Sequence, residues 1–530
     1  MKTLPLSAKR IASSVIASFL LSVAICMGRQ IDRYGKLSAS VLSVLGFIGV
    51  WALAFIVVFL LYLLFDRAYA GEIRRNPVKP FKIFVISFMV LTVLYFVQFL
   101  ALYPGLFIYD ATWQLDTYRA GMVSEHHPVL HTVLLGFLVD KFASDEWHIN
   151  IGVAVYTLIQ LILFALSVSY MLTYIYRKLE NRVIYVISLL FAGLYTPMFL
   201  QVVTVTKDSY FLIFIILSVT LSLELAEDTE RFMKNVPKVI LWCLSVTLIA
   251  IFRNNCLYAV PFLLVALFFV LKKKKLNYLL MVAAAVLLYV MYKLLFVPRF
   301  VTEPVDGREF YSIPAQQLAR VYHTADADIS DTEKTVVEGL IKEKGLTGFC
   351  PRTADPVKTA LDMEYYRAHE KEIRSLYLSL FARNPKLYFE AFLENSLGFW
   401  YPGAELTLYS DGRPGYWVIG CFPYAVMNSK LPPLVKYYDL FGQDTVFTRN
   451  PLLMLFFAPG TFFYLFLIMF VYAIEQKKTA FLPVFVFVLF LWATYLLGPM
   501  AMVRYSNYLY GIVPLYFAEI FKEKPLKTMS

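Results

Sequence analysis

Residues 103–136 read YPGLFIYDATWQLDTYRAGMVSEHHPVLHTVLLG. The stretch leaves an uncharged run that begins at Ile83, turns at Pro104-Gly105 and sets Asp110, Gln114 and Asp116 on one short predicted helix. It then gathers His126, His127 and His131, half of the six histidines in the chain. Its surroundings are far more apolar. Of 530 residues, 59% are hydrophobic and 16% charged, with 46 Phe and 37 Tyr, a composition that belongs to polytopic membrane proteins.

Uncharged runs long enough to cross a hydrocarbon core, about 17 to 25 residues each, predict about twelve transmembrane helices. They lie at residues 11–28, 41–65, 83–103, 149–175, 183–206, 209–223, 239–252, 254–271, 276–292, 451–474, 479–500 and 505–518. The expected fold class is an all-α polytopic membrane protein with a mostly helical extracytoplasmic domain. Its units are an N-terminal two-span extension (1–82), a transmembrane core (83–297) with the polar outer loop 104–148, an extracytoplasmic helical domain (298–450) and a C-terminal three-span bundle (451–530). The first apolar run is too long for a signal-peptide core and lacks a small-residue cleavage pattern, so it is expected to stay as a span.

The basic residues orient these spans. With the N-terminus inside, Lys2, Lys9 and Arg10, then Arg67, Arg74, Arg75, Lys79 and Lys82, fall on the inner face. So do the Lys/Arg groups at 177–182, 231–238, 272–275, 477–478 and 522–527, which outnumber those in the short outer segments. This predicts cytoplasmic termini in a plasma or bacterial inner membrane, and it accounts for the net charge of +11 without nucleic acid. The same topology places every unusual polar cluster outside: Asp110 and the histidines, Lys207-Asp208, Arg253-Asn254-Asn255, and Arg504. In the outer segment, Ser330-Asp331-Thr332-Glu333 predicts a capping box. Asp355-Pro356 predicts the cap and first residue of a long helix running towards Asn384-Pro385. A second, aromatic helix is expected over 386–397, before Gly398-Phe399-Trp400-Tyr401-Pro402, and such helices beside a membrane lie in its interface. Cys350 and Cys421 share the outer compartment, where a disulfide is permitted though spacing cannot show one.

Asp110 ends a long uncharged run, so its carboxylate is expected at the membrane boundary with a raised pKa, as suits a general base. The alternative is a helix N-cap, and the two roles are compatible. Gln114 lies one turn on, on the same side. Pro128 predicts a helix over 129–142, with His127 at its cap and His131 one turn inside. Its N-terminal amides form a cradle for phosphate. His127 and His131, at i, i+4 spacing, are also candidate ligands for a divalent metal, with Glu125 or Asp110 completing the shell, or they simply line a wet interface. Cations beside apolar spans cost roughly 2.5 to 3.5 kcal/mol unless partnered. Lys207, Arg253 and Arg504, on the face of a candidate base, therefore point to an anion site, and a lipid phosphate is the obvious anion there.

The early Asp of the first outer loop, the segment His126-His127-Pro128-Val129-Leu130-His131, Thr206-Lys207-Asp208, Arg253-Asn254-Asn255, Asp355-Pro356-Val357-Lys358 and Arg504-Tyr505 together resemble the GT-C superfamily of integral-membrane glycosyltransferases. The likeness extends to protein O-mannosyltransferases and aminoarabinose transferases, and more closely to an uncharacterised bacterial branch with an Asp-x3-Gln and HHPxLH pattern. Ala111 stands where a Glu is common, Val129 follows Pro128 where a second Pro is common, and two spans precede the core. The resemblance implies a GT-C-like core and inverting transfer of a sugar, hexosyl or related, from a polyprenyl-phosphate donor to an envelope glycan, polymer or lipid. It further implies Asp110 as base, with Gln114 positioning acceptor or sugar. Lys207, Arg253 and Arg504 would hold the phosphate, with His126, His127, His131, Asp208, Asn254 and Asn255 beside it, and Trp400 and Tyr401 would stack on sugar or acceptor. No cofactor is required by this chemistry, a divalent metal being optional. A lipid-linked glycan transporter, a scaffold for envelope assembly, and a glycan ligase or polymerase are the competing readings. A transporter would place polar groups near the midplane on broken, repeated helices.

Overall fold

A computed structural model describes residues 8–70, 78–145, 148–305, 307–404, 425–442, 450, 452 and 455–521, without the side chains of 68–70 and 439–442. Cys421, Arg74, Arg75, Lys522, Lys524 and Lys527 lie outside the described residues. The protein is integral to the membrane and largely helical, but the expected twelve spans are too many. Seven helices are long and apolar enough to cross: Ala8–Tyr34, Val41–Arg67, Pro80–Ala101, Asn150–Leu179, Lys207–Glu227, Lys275–Arg299 and Thr479–Leu496. An eighth exists if Arg182–Leu194 and Thr196–Val203, bent by 52°, form one broken span.

The physical reasons for the shortfall are local. Pro197 sits at the start of Thr196–Val203, so the apolar run 183–206 does not continue as one helix. Val236–Phe252, Asn254–Val270 and Pro459–Glu475 have 17 residues each, about 25 Å of helix, short of a hydrocarbon core of about 30 Å. Val503–Ile520 buries Arg504, Ser506, Asn507 and Glu519, so its composition is too polar to pass as a lipid-crossing helix. Its polar groups are enclosed by protein.

Burial sorts the helices into centre and periphery. The best window of Lys207–Glu227 is 89% buried, and that of Val41–Arg67 only 11%. Helix Lys207–Glu227 is therefore the axis of the bundle, packed among Asn150–Leu179, Val236–Phe252 and Val503–Ile520. Helix Val41–Arg67 is apolar all round and faces lipid.

The helical non-membrane region has its own core, from Ala315 and Leu318 to Leu380 and Tyr388. Ser330 and Glu333 do form a capping box, opening helix Asp331–Leu340. The expected long helix after Asp355-Pro356 is instead three: Asp355–Thr359, Met363–Ala368 and Glu370–Arg383. Asp362 caps the second by accepting from the amides of Glu364 and Tyr365, so its side chain starts a new helix. The region is pinned to the bundle at two places. The Ala354 amide donates to the Pro499 carbonyl (2.7 Å) and Asn395 Nδ2 to that of Gly498 (2.9 Å), just before the helix that carries Arg504. At the other, Arg352 pairs with Asp32 (2.9 Å), and the Leu37 amide donates to Glu390 (2.6 Å).

Candidate functional site

Two loops from distant parts of the chain are held side by side. Leu106–Phe107 pairs in parallel with Thr204–Val205, and Gln160 Nε2 fastens the second loop by donating to the carbonyls of Val202 (2.7 Å) and Thr204 (2.9 Å). Gly105, at φ +122°, allows the approach: a Cβ there would lie 2.3 Å from Thr157 Oγ1. Helices Tyr109–Arg119 and Lys207–Glu227 start immediately after these strands, so Asp110 and Lys207 face each other across the pairing.

Asp110 is not the cap. Ile108 occupies that position, and Asp110 lies in the first turn. Its Oδ2 lies 3.3 Å from Lys207 Nζ and 3.1 Å from Arg504 Nη2. Arg504 Nε lies 3.7 Å from Asp208 Oδ2, and Arg253 pairs with the other oxygen of Asp208. Tyr505 lies beneath both guanidiniums, 4.3 Å from that of Arg253 and 5.1 Å from that of Arg504. Lys207, Arg253 and Arg504 thus converge on Asp110 and Asp208. Arg504 Nη1 is buried with no hydrogen-bond acceptor among the described residues.

The expected raised pKa of Asp110 is overturned. Burial pushes it up, but Arg504 and Lys207 pull it down further, and the carboxyl is held well below the usual range. It is an ionised carboxylate whose basicity is masked by two cations.

Helix Val129–Phe142 starts where Pro128 predicts, and Pro128 itself is the cap. His127 Nδ1 lies 2.6 Å from Lys207 Nζ. An ammonium only donates, so Nδ1 accepts and the ring proton sits on Nε2. Burial, then the Lys207 charge, lowers the His127 pKa well below its ordinary value. His131 points the other way. Gln114 donates from Nε2 to Thr132 (2.8 Å) and accepts from His131 Nδ1 (3.1 Å), while the Tyr156 hydroxyl donates to His131 Nε2 (2.7 Å). Both ring nitrogens are used, and burial followed by Lys207 pushes the pKa to about 3. His127 and His131 therefore do not converge as a metal pair, and among the described residues no group of three or more His, Cys, Asp or Glu could hold an ion. Gln114 likewise spends both ends of its amide inside the protein, tying the Asp110 helix to its neighbours.

Other expected site residues scatter. His126 stands at the mouth, its ring 5.2 Å from Trp113 and 4.8 Å from His127, and its pKa is lowered by burial. Asn254 is exposed, and Asn255 donates to the Thr494 carbonyl at 3.3 Å. Trp400 and Tyr401 pack against the first helix, with Ala24 and Ile31. The aromatics beside the partners of Asp110 are Tyr109, whose hydroxyl accepts from Arg504 (3.0 Å), and Trp113, 4.9 Å from His127. Both are about two-fifths exposed. Sequence reading passed over them, although Trp113 lies one turn from Asp110.

Residues 115–411, more than half of the chain, match the model of a family of unknown function, DUF6020. The chain is a member of DUF6020. No curated protein and no solved structure matches it. The matched stretch holds the histidines, Lys207, Asp208 and Arg253. Asp110 and Arg504 lie outside the stretch that defines DUF6020, and the fold brings both to it.

Proposed function

We propose that this DUF6020 protein is a membrane glycosyltransferase, moving a sugar from a polyprenyl-phosphate-linked donor to a cell-envelope glycan, polymer or lipid at the membrane face that carries Asp110. The observation that supports this reading is the placement of Asp110 between Lys207 and Arg504, beside a buried Arg504 N–H that lacks an acceptor among the described residues. An ionised carboxylate held by surplus cations suits a site in which an anionic ligand competes for those cations.

The chemistry follows from that competition. A donor phosphate binding Lys207 and Arg504 takes them from Asp110, whose pKa then rises and whose basicity is released. Asp110 accepts the proton of an acceptor hydroxyl, and the acceptor oxygen bonds to the anomeric carbon from the face opposite the leaving group. The bond from that carbon to phosphate oxygen breaks, the electron pair stays on phosphate, and Lys207, Arg253 and Arg504 stabilise the growing charge. One displacement inverts the configuration. Gln114 acts as a positioning residue, through Thr132 and His131.

The test uses purified full-length protein with radiolabelled polyprenyl-phosphate sugars and membrane lipid extract. Label is expected to pass from donor to a new product with wild type and to fall at least about 100-fold with Asp110→Asn. Wild-type protein that forms no product but carries labelled lipid across vesicles would be a transporter.

A further inference from the structure

A polar cavity lies at the opposite end of the bundle from Asp110. Helix Lys207–Glu227 begins at the candidate active site and ends, 21 residues on, at the cavity wall, about 30 Å away at 1.5 Å per residue. That distance is the thickness of a hydrocarbon core. Four other helix ends meet there, at Lys178, Val270, Thr479 and Glu519, so the cavity lies at headgroup depth. Its volume is about 560 Å³, within the range of small-ligand sites.

The lining carries four lysines and four carboxylates. At its back, Lys178 is locked between Glu227 and Glu519, the latter at 2.5 Å, and Lys478 is held by the backbone carbonyls of Glu519 and Phe521. At its rim the charges are less committed. Lys272 has no ion pair among the described residues, and Lys273 meets Glu230 at 3.1 Å with both side chains half exposed or more. Such an exposed pair contributes about 0 to 1 kcal/mol and exchanges readily for a ligand. With positive and negative groups equal in number, a simple anion gains little from the cavity as a whole. A ligand carrying one anion and one cation can satisfy both lips. Carboxylates reward a cation that donates hydrogen bonds, so a primary ammonium fits better than a quaternary one. Beyond Val270, Phe269 and Val265 stand 75% and 56% exposed, one turn apart, giving an apolar track along the lipid-facing surface.

We propose that this cavity binds the headgroup of a zwitterionic phospholipid with a primary ammonium, of the phosphatidylethanolamine type. Phosphate sits on Lys272 and Lys273, ammonium on the Glu230 lip, and the acyl chains follow Val265 and Phe269. The proposal is independent of the transferase reading.

Native mass spectrometry of the full-length protein, delipidated and then offered phosphatidylethanolamine, phosphatidylcholine or phosphatidylglycerol with identical chains, tests it. Wild type is expected to retain the ethanolamine lipid at least about fivefold over the other two, a preference of about 1 kcal/mol. The double variant Lys272→Ala/Lys273→Ala is expected to lose that retention. Glu230→Gln, on the ammonium lip, is expected to shift preference towards phosphatidylglycerol. Equal or better binding of phosphatidylglycerol by wild type, or retention unchanged in both variants, overturns the proposal. Displacement of the lipid by glycerophosphoethanolamine at equal concentration overturns the lipid as source and assigns the site to a soluble ligand.

Discussion

The two ends of helix Lys207–Glu227 bury charge in opposite ways. At the far end, Arg177, Lys178 and Lys238 meet Glu224, Glu227 and Glu519, three cations to three carboxylates, each cation in contact with a carboxylate. At the near end, Lys207, Arg253 and Arg504 meet two carboxylates, Asp110 and Asp208, and among the described residues an arginine N–H is left without an acceptor. A balanced network fastens helices together. A buried surplus of one sign is costly unless something of the other sign visits. The contrast gives the far ion-pair network the role of fastening helices and supports reading the near-end surplus as a site for an anion.

The comparison breaks first, if it breaks, at Lys178. Lys178→Met leaves Glu227 and Glu519 facing each other without their shared cation, both ends of a contact that is 5% exposed at Lys178 and at Glu519. Breaking a buried pair in this way costs about 3 to 5 kcal/mol. Thermal unfolding in detergent is expected to show a large fall in Tm, while transfer per folded molecule stays within about twofold of wild type. A folded Lys178→Met protein without transfer would place chemistry at the wrong end.

Arg504→Met probes the near end. It removes the guanidinium that reaches Asp110 and Asp208, and with it the donor aimed at the visiting anion. Loss of one such donor lowers kcat by about 100- to 1,000-fold, roughly 2.7 to 4 kcal/mol. Arg504→Lys is expected to recover only part of this, because an ammonium cannot span two carboxylates. Full activity in Arg504→Met would remove the surplus-cation argument.

How much of this was legible differs residue by residue. The start of helix Val129–Phe142 follows from local chemistry, and so does the Ser330/Glu333 box, because caps and prolines act within a few residues, whereas helix Tyr109–Arg119 is capped by Ile108 and not by Asp110. The shared face of Lys207, Arg253 and Arg504 follows from the spacing of apolar runs. The span count does not follow. A continuous apolar run hides the 52° bend at Thr196, and 17-residue helices look like spans when only composition is read. Two further errors arise from through-space contacts. Asp110 meets its decisive cations 97 and 394 positions along the chain, so burial alone suggested the wrong direction of its pKa. Trp400 and Tyr401 are claimed by the first helix, which leaves Trp113 and Tyr109 as the site's exposed aromatics.

Acid separates the two ends more gently. All six histidines lie in segments on the Asp110 side of the bundle, and the far network has none. His131 is fully buried between Gln114 and Tyr156 and titrates at about 3 when folded. Its unfolded value is about 6.5, so the unfolded state binds the proton first and stability falls as pH drops below about 6.5. Between pH 6.5 and 5 this one residue removes about 1.5 kcal/mol. The sign is opposite for a group with a raised pKa, which would gain stability on acidification. His126 and His127, also lowered, steepen the slope without changing its sign. Tm measured from pH 8 to 5 is therefore expected to be flat above 7 and to decline below it in wild type. His131→Gln, whatever its Tm at pH 8, is expected to decline less steeply over the same range. Equal slopes in the two proteins would mean that His131 is not held neutral, and the hydrogen bonds that tie Gln114 and Tyr156 to it would have to be reassigned.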